Sequence, residues 1–350
     1  MNPVNKKASD AEIVAALEAY PTQREAAAAL GLDVSNVRRR MAAIRGTSTL
    51  YGKDGERALT WVKTDRKNDD LREGVLDAIR DHVRPLKPVK GPSKGCNPDL
   101  LSCYILTDYH LGMLAWGEET GADWDITIAE RVIDAWIEEA IARAPKARVG
   151  VLAQLGDFLH YDSMEAVTPT GGHILDADTR FVRMIGVARR ALQRCVDRML
   201  QAHERVVVLH AEGNHDLASS AWLRELFSAL YANEPRVQII TRPDPYYCIE
   251  HGETLLLFHH GHKRSMKDLD SVLVSKFRSE FGNAEHVYAH TGHFHHLKRR
   301  ETSLMVIEQH RTLAAPDAYA SRGGWMSGRS ADVITYDSKR GEVCRITVQP

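Results

Sequence analysis

The sequence has little cysteine and no long hydrophobic run. Its five cysteines are odd in number, are scattered along the 350 residues and never form a Cys-x-x-Cys pair. This pattern argues against a disulfide framework and a zinc knuckle, and it favours a reducing compartment. The first residues, MNPVNKKASDAEIV, lack the apolar core of a signal peptide, and no stretch is long enough to span a membrane. We therefore expect a cytoplasmic protein that does not contact the membrane.

The chain also lacks an excess of charge of either sign. The 46 basic and 47 acidic side chains give a formal net charge of −1. No global field attracts the chain to nucleic acid, so any such affinity has to come from local patches. With 43% hydrophobic and 27% charged residues, the composition is that of an ordinary globular protein. The length allows one large domain and a smaller one.

Residues 1–47 are predicted to form a small all-α helix-turn-helix domain. Asp10 can cap a first helix that Pro21 ends, and a second helix, QREAAAAL, ends at Gly31. Ser35 can cap a third helix, NVRRRMAAIR. Two capped helices joined by a turn with glycine are typical of a helix-turn-helix.

The third predicted helix carries a basic face formed by Arg38, Arg39 and Arg40. As a recognition helix it would place these arginines on the phosphates and bases of DNA. The same pattern is compatible with a three-helix bundle whose arginines are solvated, or with one that binds a protein. The sequence leaves these alternatives open.

Residues 48–98 are predicted to be a linker. One amphipathic helix is expected near residues 69–83, followed by RPLKPVKGPSKGCNP, which is rich in proline, glycine and lysine. This composition predicts a semi-extended basic tether, either solvated or resting on a phosphate backbone. Residues 99–350 are expected to form the main domain.

From residue 100 onward, strands and helices alternate, as in an α/β protein. The predicted strands are LLSCYILT, ARVGVLAQL, RVVVLHAE, TLLLFH, HVYAH, SLMVIEQH and a closing hairpin of ADVITYD and EVCRITVQ. The predicted helices are AERVIDAWIEEAIARA, TRFVRMIGVARRALQRCVDRMLQAH, SAWLRELFSALYA and KDLDSVLVSKFRSEF.

Five short polar clusters follow apolar runs of this pattern. They are Asp108-Tyr109-His110, Gly156-Asp157-Phe158-Leu159-His160, Gly213-Asn214-His215-Asp216, His260-Gly261-His262 and Gly292-His293-Phe294-His295. Functional side chains gather at the carboxyl ends of strands in such sheets. The clusters would thus bring carboxylate, amide and imidazole groups to one edge, a mixed set suited to manganese, iron or zinc.

The five clusters resemble the signature blocks of calcineurin-like metallophosphoesterases. The resemblance implies a four-layer αββα sandwich of two mixed sheets with helices outside, and a site for two divalent metal ions. Manganese is the first expectation for both ions, with iron or zinc as alternatives. It further implies that a hydroxide held between the ions attacks the phosphorus atom.

The resemblance also assigns roles to individual residues. The first ion would be held by Asp108, His110 and His295. The second would be held by Asn214, His260 and His293, with Asp157 bridging both ions. The pattern of His followed by Gly favours His260 as the ligand, which leaves His262 either to support the ligands or to face the substrate.

Two further residues of the third block are expected to assist catalysis. His215 would stabilise the phosphoryl transition state or protonate the leaving group. Asp216 could accept a hydrogen bond from the His215 ring, or it could cap the following helix.

Block two ends in His160, and block one reads Asp108-Tyr109-His110-Leu111-Gly112. Both details are similar to the branch that contains the double-strand-break repair exonucleases, which implies that His160 touches the substrate. The sequence ends at Pro350 without the capping domain of that branch, so we expect the chain to act alone or to use its N-terminal helices instead.

A segment near the C-terminus is a candidate substrate lip. HRTLAAPDAYASRGGWMSGR, residues 310–329, contains Arg322, Trp325 and Arg329. Arginine can bind phosphate through two N–H groups and tryptophan can stack on a base. The segment is equally compatible with a packed surface loop.

The leading hypothesis is a phosphodiesterase that acts on DNA, brought there by the helix-turn-helix. One alternative is a phosphomonoesterase for a phosphoprotein or a small phosphate, with the N-terminal domain as an adaptor for a protein partner. Another is a DNA-binding regulator whose metal domain senses a ligand.

Overall fold

A computed structural model describes residues 8, 10–20, 23–34, 37, 47–51, 57–62, 83–92, 95–169 and 171–350. The chain divides into two compact units, Met1–Asp81 and His82–Pro350.

The smaller unit contains the first two predicted helices. They are α1 (Asp10–Ala19) and α2 (Gln23–Ala29). Ile13, Ala27 and Val37 are fully buried in one small core. Arg38, Arg39 and Arg40 lie outside the described residues, as does nearly all of the predicted third helix, so the helix-turn-helix and its DNA contacts stay predictions.

The predicted linker contains a strand pair that the sequence reading did not anticipate. Strand β1 (Thr47–Tyr51) pairs with β2 (Arg57–Val62) in an antiparallel manner. The polar composition of this stretch concealed the pair. The helix predicted near residues 69–83 lies outside the described residues apart from Val83.

The larger unit begins before the predicted boundary at residue 99, because part of the predicted tether packs against it. Leu86 N donates to Leu230 O at 2.7 Å, and Val89 N donates to the Glu234 carboxylate at 3.1 Å. Three apolar side chains of this segment contact the main core: Val83, Leu86 and Val89. Apolar residues spaced three apart thus anchor residues 83–92, while the basic residues between them stay exposed.

Two mixed sheets form the centre of the larger unit. The first contains β3 (Asn97–Leu106), β4 (Ala147–Gln154), β5 (Arg205–His210), β6 (Val237–Ile240), β12 (Ala331–Asp337) and β13 (Gly341–Val348). Its order is β13-β12-β3-β4-β5-β6, with β3 to β6 parallel and the closing hairpin antiparallel.

The second sheet has five strands. They are β7 (Tyr247–His251), β8 (Thr254–Phe258), β9 (His286–Thr291), β10 (Lys298–Glu301) and β11 (Val306–Gln309). The order is β10-β11-β9-β8-β7, with β8, β9 and β11 parallel. The sequence reading missed three short, partly exposed strands, β6, β7 and β10, because they lack a long apolar run.

The sheets pack face to face because the strands carry apolar residues on both faces. Along β3, Leu101, Cys103 and Ile105 enter the core between the sheets. Tyr104 and Leu106 enter the core beneath the helices. Burial of both faces requires a helical layer on each side, which gives a four-layer α/β sandwich and confirms the predicted fold class.

The helices of the larger unit form the outer layers. They are α3 (Gly117–Thr120), α4 (Ile126–Arg143), α5 (Phe181–Ala202), α6 (Leu217–Leu230), α7 (Leu269–Lys276), α8 (Arg278–Gly282) and α9 (Ala318–Gly323). The single helix predicted for residues 267–281 is interrupted at Phe277, whose ring is buried in the outer core. No described helix is long and apolar enough to cross a membrane.

We predict that Phe258→Ala destabilises the larger unit by about 3–5 kcal/mol, since the ring is fully buried between the sheets. Urea unfolding followed by circular dichroism measures this change. The exposed Val343→Ala variant is the control, with an expected change within about 0.5 kcal/mol. A loss below about 1 kcal/mol for Phe258→Ala would contradict the packing between the sheets.

Candidate metal centre

The seven predicted metal ligands meet at one edge of the two sheets. Each follows the carboxyl end of a strand: Asp108 and His110 follow β3, Asp157 follows β4, Asn214 follows β5, His260 follows β8, and His293 and His295 follow β9. The first sheet thus contributes four of the ligands and the second sheet three.

Backbone hydrogen bonds join the segments that carry these ligands. His110 N donates to Asp157 O at 3.0 Å, and Asp108 N donates to Gly156 O at 3.1 Å. In the second sheet, Gly292 N donates to His260 O at 2.7 Å. The ligand segments are therefore fixed to one another, with little freedom to move separately.

Five of the ligands adopt a left-handed backbone conformation. Their φ angles lie between 47° and 74°, and they are Asp108, His110, Asp157, His293 and His295. Every described non-glycine residue with positive φ belongs to this set. Such a conformation costs an L-residue about 1–2 kcal/mol. Strain confined to one cluster of polar residues indicates a functional site.

Two glycines allow the ligand segments to approach closely. A Cβ atom on Gly213 would lie 2.1 Å from Asp157 Oδ1, and one on Gly292 would lie 2.4 Å from Asp108 Oδ2. Neither contact can be relieved, since both carboxylates are held by other groups. The glycines of these blocks are thus required by packing around the two carboxylates.

The first ligand group consists of Asp108, His110 and His295, whose ligand atoms all lie within 4.8 Å of one another. His110 Nε2 lies 3.3 Å from His295 Nε2, and the latter lies 3.2 Å from Asp108 Oδ1. Asp108 Oδ1 is buried and accepts no hydrogen bond from the described residues. A buried carboxylate oxygen facing two imidazole nitrogens fits a divalent cation.

The second ligand group consists of Asp157, His260 and His293. His260 Nδ1 faces Leu155 O at 2.9 Å, so that this nitrogen donates and Nε2 is directed into the site. Nε2 lies 3.0 Å from Asp157 Oδ2 and 3.3 Å from Asn214 Oδ1. A nitrogen and two oxygens that converge in this way also fit a divalent cation.

The carboxylates and imidazoles of the site shift one another's pKa values. Burial raises the pKa of Asp108, but the charges on His295 and His260 outweigh burial and hold it below its usual value. Burial lowers the pKa of His260, yet the Asp157 carboxylate raises it to about 10. Asp108 likewise raises the pKa of His295 against the effect of burial. Protons on these two rings therefore neutralise the carboxylates when no metal ion does so.

His215 lies beside the first ligand group, but its hydrogen-bond partner differs from the predicted one. Its Nδ1 faces the backbone oxygen of His160 at 2.7 Å. Its ring centroid is 4.8 Å from that of His110. Because Nδ1 donates to a carbonyl, Nε2 is the nitrogen directed away from this backbone contact.

The side chain of Asp216 does not contact the His215 ring and does not cap α6. Its carboxylate instead accepts backbone N–H groups, at 3.1 Å from Asp157 and 2.7 Å from Phe158. The first turn of α6 is capped by Asp162, which accepts the N–H groups of Ala218 and Ser219. Burial and the charge of Asp157 raise the pKa of Asp216 to about 8, although the amide donors oppose this shift. Asp216 therefore shapes the turn that carries Asp157.

His160 is buried, with 1% of its surface exposed, and does not face solvent where a substrate would bind. Its Nδ1 lies 3.3 Å from His110 Nδ1. Burial lowers the pKa of His160 to about 3. The His160 ring therefore contacts the predicted ligand His110, because the turn after β4 directs the ring into the protein.

His262 is mostly buried beside the second ligand group. Its ring centroid lies 5.3 Å from that of His260. Neither ring nitrogen has a hydrogen-bond partner among the described residues. Both nitrogens are buried, and the contact of His262 with a substrate stays a prediction.

The three residues of the predicted lip differ in what they can offer. Arg329 donates twice to Leu313 O and its guanidinium lies 5.3 Å from the centroid of the Trp124 ring, so its contacts are internal. Arg322 forms an exposed ion pair with Glu119 at 3.0 Å. Trp325 is 60% exposed, and its ring centroid lies 5.0 Å from that of Tyr319.

The sequence reading missed three hydroxyl groups that hold the ligands. Thr107 donates to Asp108 Oδ2 at 2.6 Å, and Thr312 donates to the backbone oxygen of Asp108 at 2.6 Å. Ser327 donates to the backbone oxygen of His295 at 2.7 Å. Thr107 directly precedes a ligand and could have been suspected, whereas the other two are distant in sequence.

A further buried cluster, Glu308, His310 and Asp332, also has metal-ligand composition. Arg345 occupies it, since its guanidinium donates to both oxygens of Glu308 at 2.6 and 2.8 Å. The carboxylate is thus satisfied by an arginine, and the cluster is a structural ion-pair network.

Comparison with protein-family models gives no match, and comparison with curated proteins gives none either. Among solved structures, the chain is similar to a predicted phosphoesterase from Streptococcus pneumoniae TIGR4, with 11% identity, a TM-score of 0.30, and coverage of 68% of this chain and 84% of that one. It is similar to an archaeal phosphodiesterase with 14% identity, a TM-score of 0.36, and coverage of 71% and 99%.

A third similarity is to Vps29 of Entamoeba histolytica in complex with zinc. It has 11% identity, a TM-score of 0.27, and coverage of 71% of this chain and 98% of that one. All three scores are low, so the function proposed below rests on the site of this chain.

We predict that Asp216→Asn weakens the binding of divalent metal about 10–100-fold, because an amide cannot accept all the N–H groups that shape the Asp157 turn. Titration calorimetry with Mn²⁺ measures this affinity. The control is Asp125→Asn, since Asp125 also accepts a backbone N–H but does so at the start of α4. Equal affinities of the two variants would contradict the assigned role.

We also predict that metal affinity falls as the pH falls, since a cation must displace the protons on His260 and His295. The loss is up to about tenfold per pH unit for each proton displaced. Calorimetry in buffers of different ionisation enthalpy counts the released protons. An affinity that does not change between about pH 8 and pH 6 would contradict the proton–metal competition.

Proposed function

We propose that this protein is a metal-dependent phosphoesterase that cleaves phosphodiester bonds, with DNA as its substrate. The observation that carries the proposal is the convergence of two carboxylate–histidine groups, five of whose six members have a left-handed backbone conformation. The five polar blocks, which resemble those of calcineurin-like metallophosphoesterases, supply every residue of these groups.

Asp108, His110 and His295 would hold one ion, and Asn214, His260 and His293 the other, with the Asp157 carboxylate between them. Two such cations neutralise phosphate oxygens and lower the pKa of a bound water. We assign manganese to both positions, with iron or zinc as alternatives, because the ligands are imidazoles and oxygens without a thiolate.

The chain itself supplies a proton donor for the leaving group. His215 keeps Nδ1 on the His160 carbonyl, and this contact fixes the orientation of the ring. When the ring is protonated, Nε2 can donate to the departing oxygen. Asp216 would act by shaping the turn that carries Asp157, and His160 would act through its contact with the His110 ring.

A diester is favoured over a monoester by the charge of the site. A diester phosphate carries one negative charge and a monoester up to two. No arginine of the described residues forms a hydrogen bond or ion pair with a member of either ligand group, and the exposed lip arginine, Arg322, is paired with Glu119. A dianion would lack the guanidinium partners that such a group usually receives.

The deciding experiment measures hydrolysis of bis-p-nitrophenyl phosphate, p-nitrophenyl phosphate and labelled DNA with added Mn²⁺. We expect diester and DNA cleavage to exceed monoester cleavage. His215→Ala should lower kcat about 100–10,000-fold while Mn²⁺ affinity changes little, whereas Asn214→Ala should lower the affinity itself.

The matched control is His286→Ala, a histidine at the opposite end of β9 whose activity should equal that of the parent protein. Cleavage of the monoester alone would favour a phosphatase with the N-terminal unit as adaptor. Bound metal without turnover of any substrate would favour the DNA-binding regulator.

A further inference from the structure

Two basic segments lie next to the ligand segments of the second sheet. Residues 263–267 follow His262, and residues 298–300 follow the segment of His293 and His295. Together they contribute six cations and no acid: Lys263, Arg264, Lys267, Lys298, Arg299 and Arg300. We call this pair of segments the basic strip.

The two segments form one continuous surface. Arg300 Nη1 donates to Met266 O at 2.7 Å and to Lys267 O at 2.8 Å. Met266 is itself buried in the outer core of the second sheet, which holds the first segment in place. The two segments, distant in sequence, therefore adjoin through Arg300, whereas Arg299 points to the other side of β10.

Four of these six cations have no anionic partner among the described residues, and one of the four, Arg300, donates only to backbone carbonyls. Lys263 pairs with Glu212 at 2.9 Å, and Arg299 with Glu342 at 3.3 Å. By contrast, three exposed cations meet no carboxylate in the described part of the chain: Arg264, Lys267 and Lys298. Acids appear only beyond the segments, where Asp268 precedes α7 and Glu301 ends β10. A chain of net charge −1 thus concentrates unpaired positive charge beside its metal centre.

An exposed aromatic ring belongs to the ligand segment that precedes residues 298–300. Phe294 is 54% exposed although it sits between two predicted ligands. Its ring centroid is 4.6 Å from that of His293. Basic residues beside an exposed aromatic ring are the combination that binds single-stranded nucleic acid, through phosphate contacts and base stacking.

We propose that the basic strip binds the phosphate backbone of a single nucleic-acid strand and that Phe294 stacks on one of its bases. This inference rests on the proposed function, since it takes the bond to be cleaved at the two ligand groups. It assigns the substrate contacts to the larger unit, independently of any contact made by the N-terminal helices.

The test is the salt dependence of binding. The full-length, Mn²⁺-loaded protein is titrated with a fluorescent phosphorothioate oligo(dT), which resists hydrolysis, over about 50–300 mM salt. Each phosphate contact on a single strand contributes about 0.7 to the slope of log K against log salt. The triple variant Arg264→Ala, Lys267→Ala, Lys298→Ala should therefore lower the slope by about 2.

A matched triple variant removes the same charge elsewhere. Lys146, Arg148 and Arg205 are exposed cations at the amino ends of β4 and β5, the edge opposite the metal centre. Their replacement by Ala should leave the slope unchanged. Equal slopes for the strip variant and the parent protein would overturn the proposal.

The stacking of Phe294 on a base is tested by a separate binding measurement. Phe294→Ala should weaken binding of oligo(dT) about fivefold or more, and weaken binding of an abasic strand of equal length much less. Phe294→Trp should restore the affinity for oligo(dT). Equal losses on the two strands would overturn the stacking contact.

Hydrolysis of bis-p-nitrophenyl phosphate, measured in parallel, separates the two proposals. This diester is too small to reach the strip. If it is not cleaved while the slope falls as expected, the phosphoesterase proposal fails and the strip stands as a nucleic-acid-binding surface. If it is cleaved while the slope is unchanged, the strip proposal alone fails.

Discussion

The burial of two carboxylates side by side is the constraint on which the rest of the larger unit depends. Asp108 and Asp157 are almost fully buried, and His260 Nε2 lies within 3.9 Å of both. Two such charges are costly in a protein interior unless positive groups or hydrogen-bond donors surround them. The converging histidines, the Thr107 hydroxyl and the backbone amides of His215 and His293 meet this requirement only when five segments are brought to one point.

A second polar network keeps the two halves of the site in register. Tyr336 of the first sheet lies 2.9 Å from His290 of the second, and His290 lies 2.9 Å from His310. His310 in turn approaches Asp332, at 3.3 Å, on the first sheet. Buried networks of this kind are sensitive to displacement, since each lost partner leaves a desolvated polar group. The apolar contacts stabilise the association of the two sheets, and this network fixes their position relative to each other.

Much of this architecture could be predicted from the sequence, because it is encoded by local patterns. Apolar runs ending in Asp, Asn or His predict both a buried strand and the edge at which its polar residues gather. The strands β6, β7 and β10 were missed since their residues are only partly buried. The break at Phe277 was missed because helical periodicity continues across it.

Details of the site that depend on distant partners could not be predicted. His160 was expected to touch the substrate, and Asp216 was expected to accept a hydrogen bond from the His215 ring or to cap the following helix. The structure instead directs both side chains inward, because backbone amides and His110 are better partners for them there. Arg329 was expected at the substrate and is held by Leu313 and Trp124. Sequence gives the chemical type of such side chains, but their direction is decided by packing.

The lip is also fastened to the metal centre through its backbone. Thr312 and Ser327 stand near its two ends, and each hydroxyl is bonded to the carbonyl of a predicted ligand, Asp108 and His295. Residues 310–329 are therefore part of the support of the first ligand group, because they fix the backbone of two of its three members.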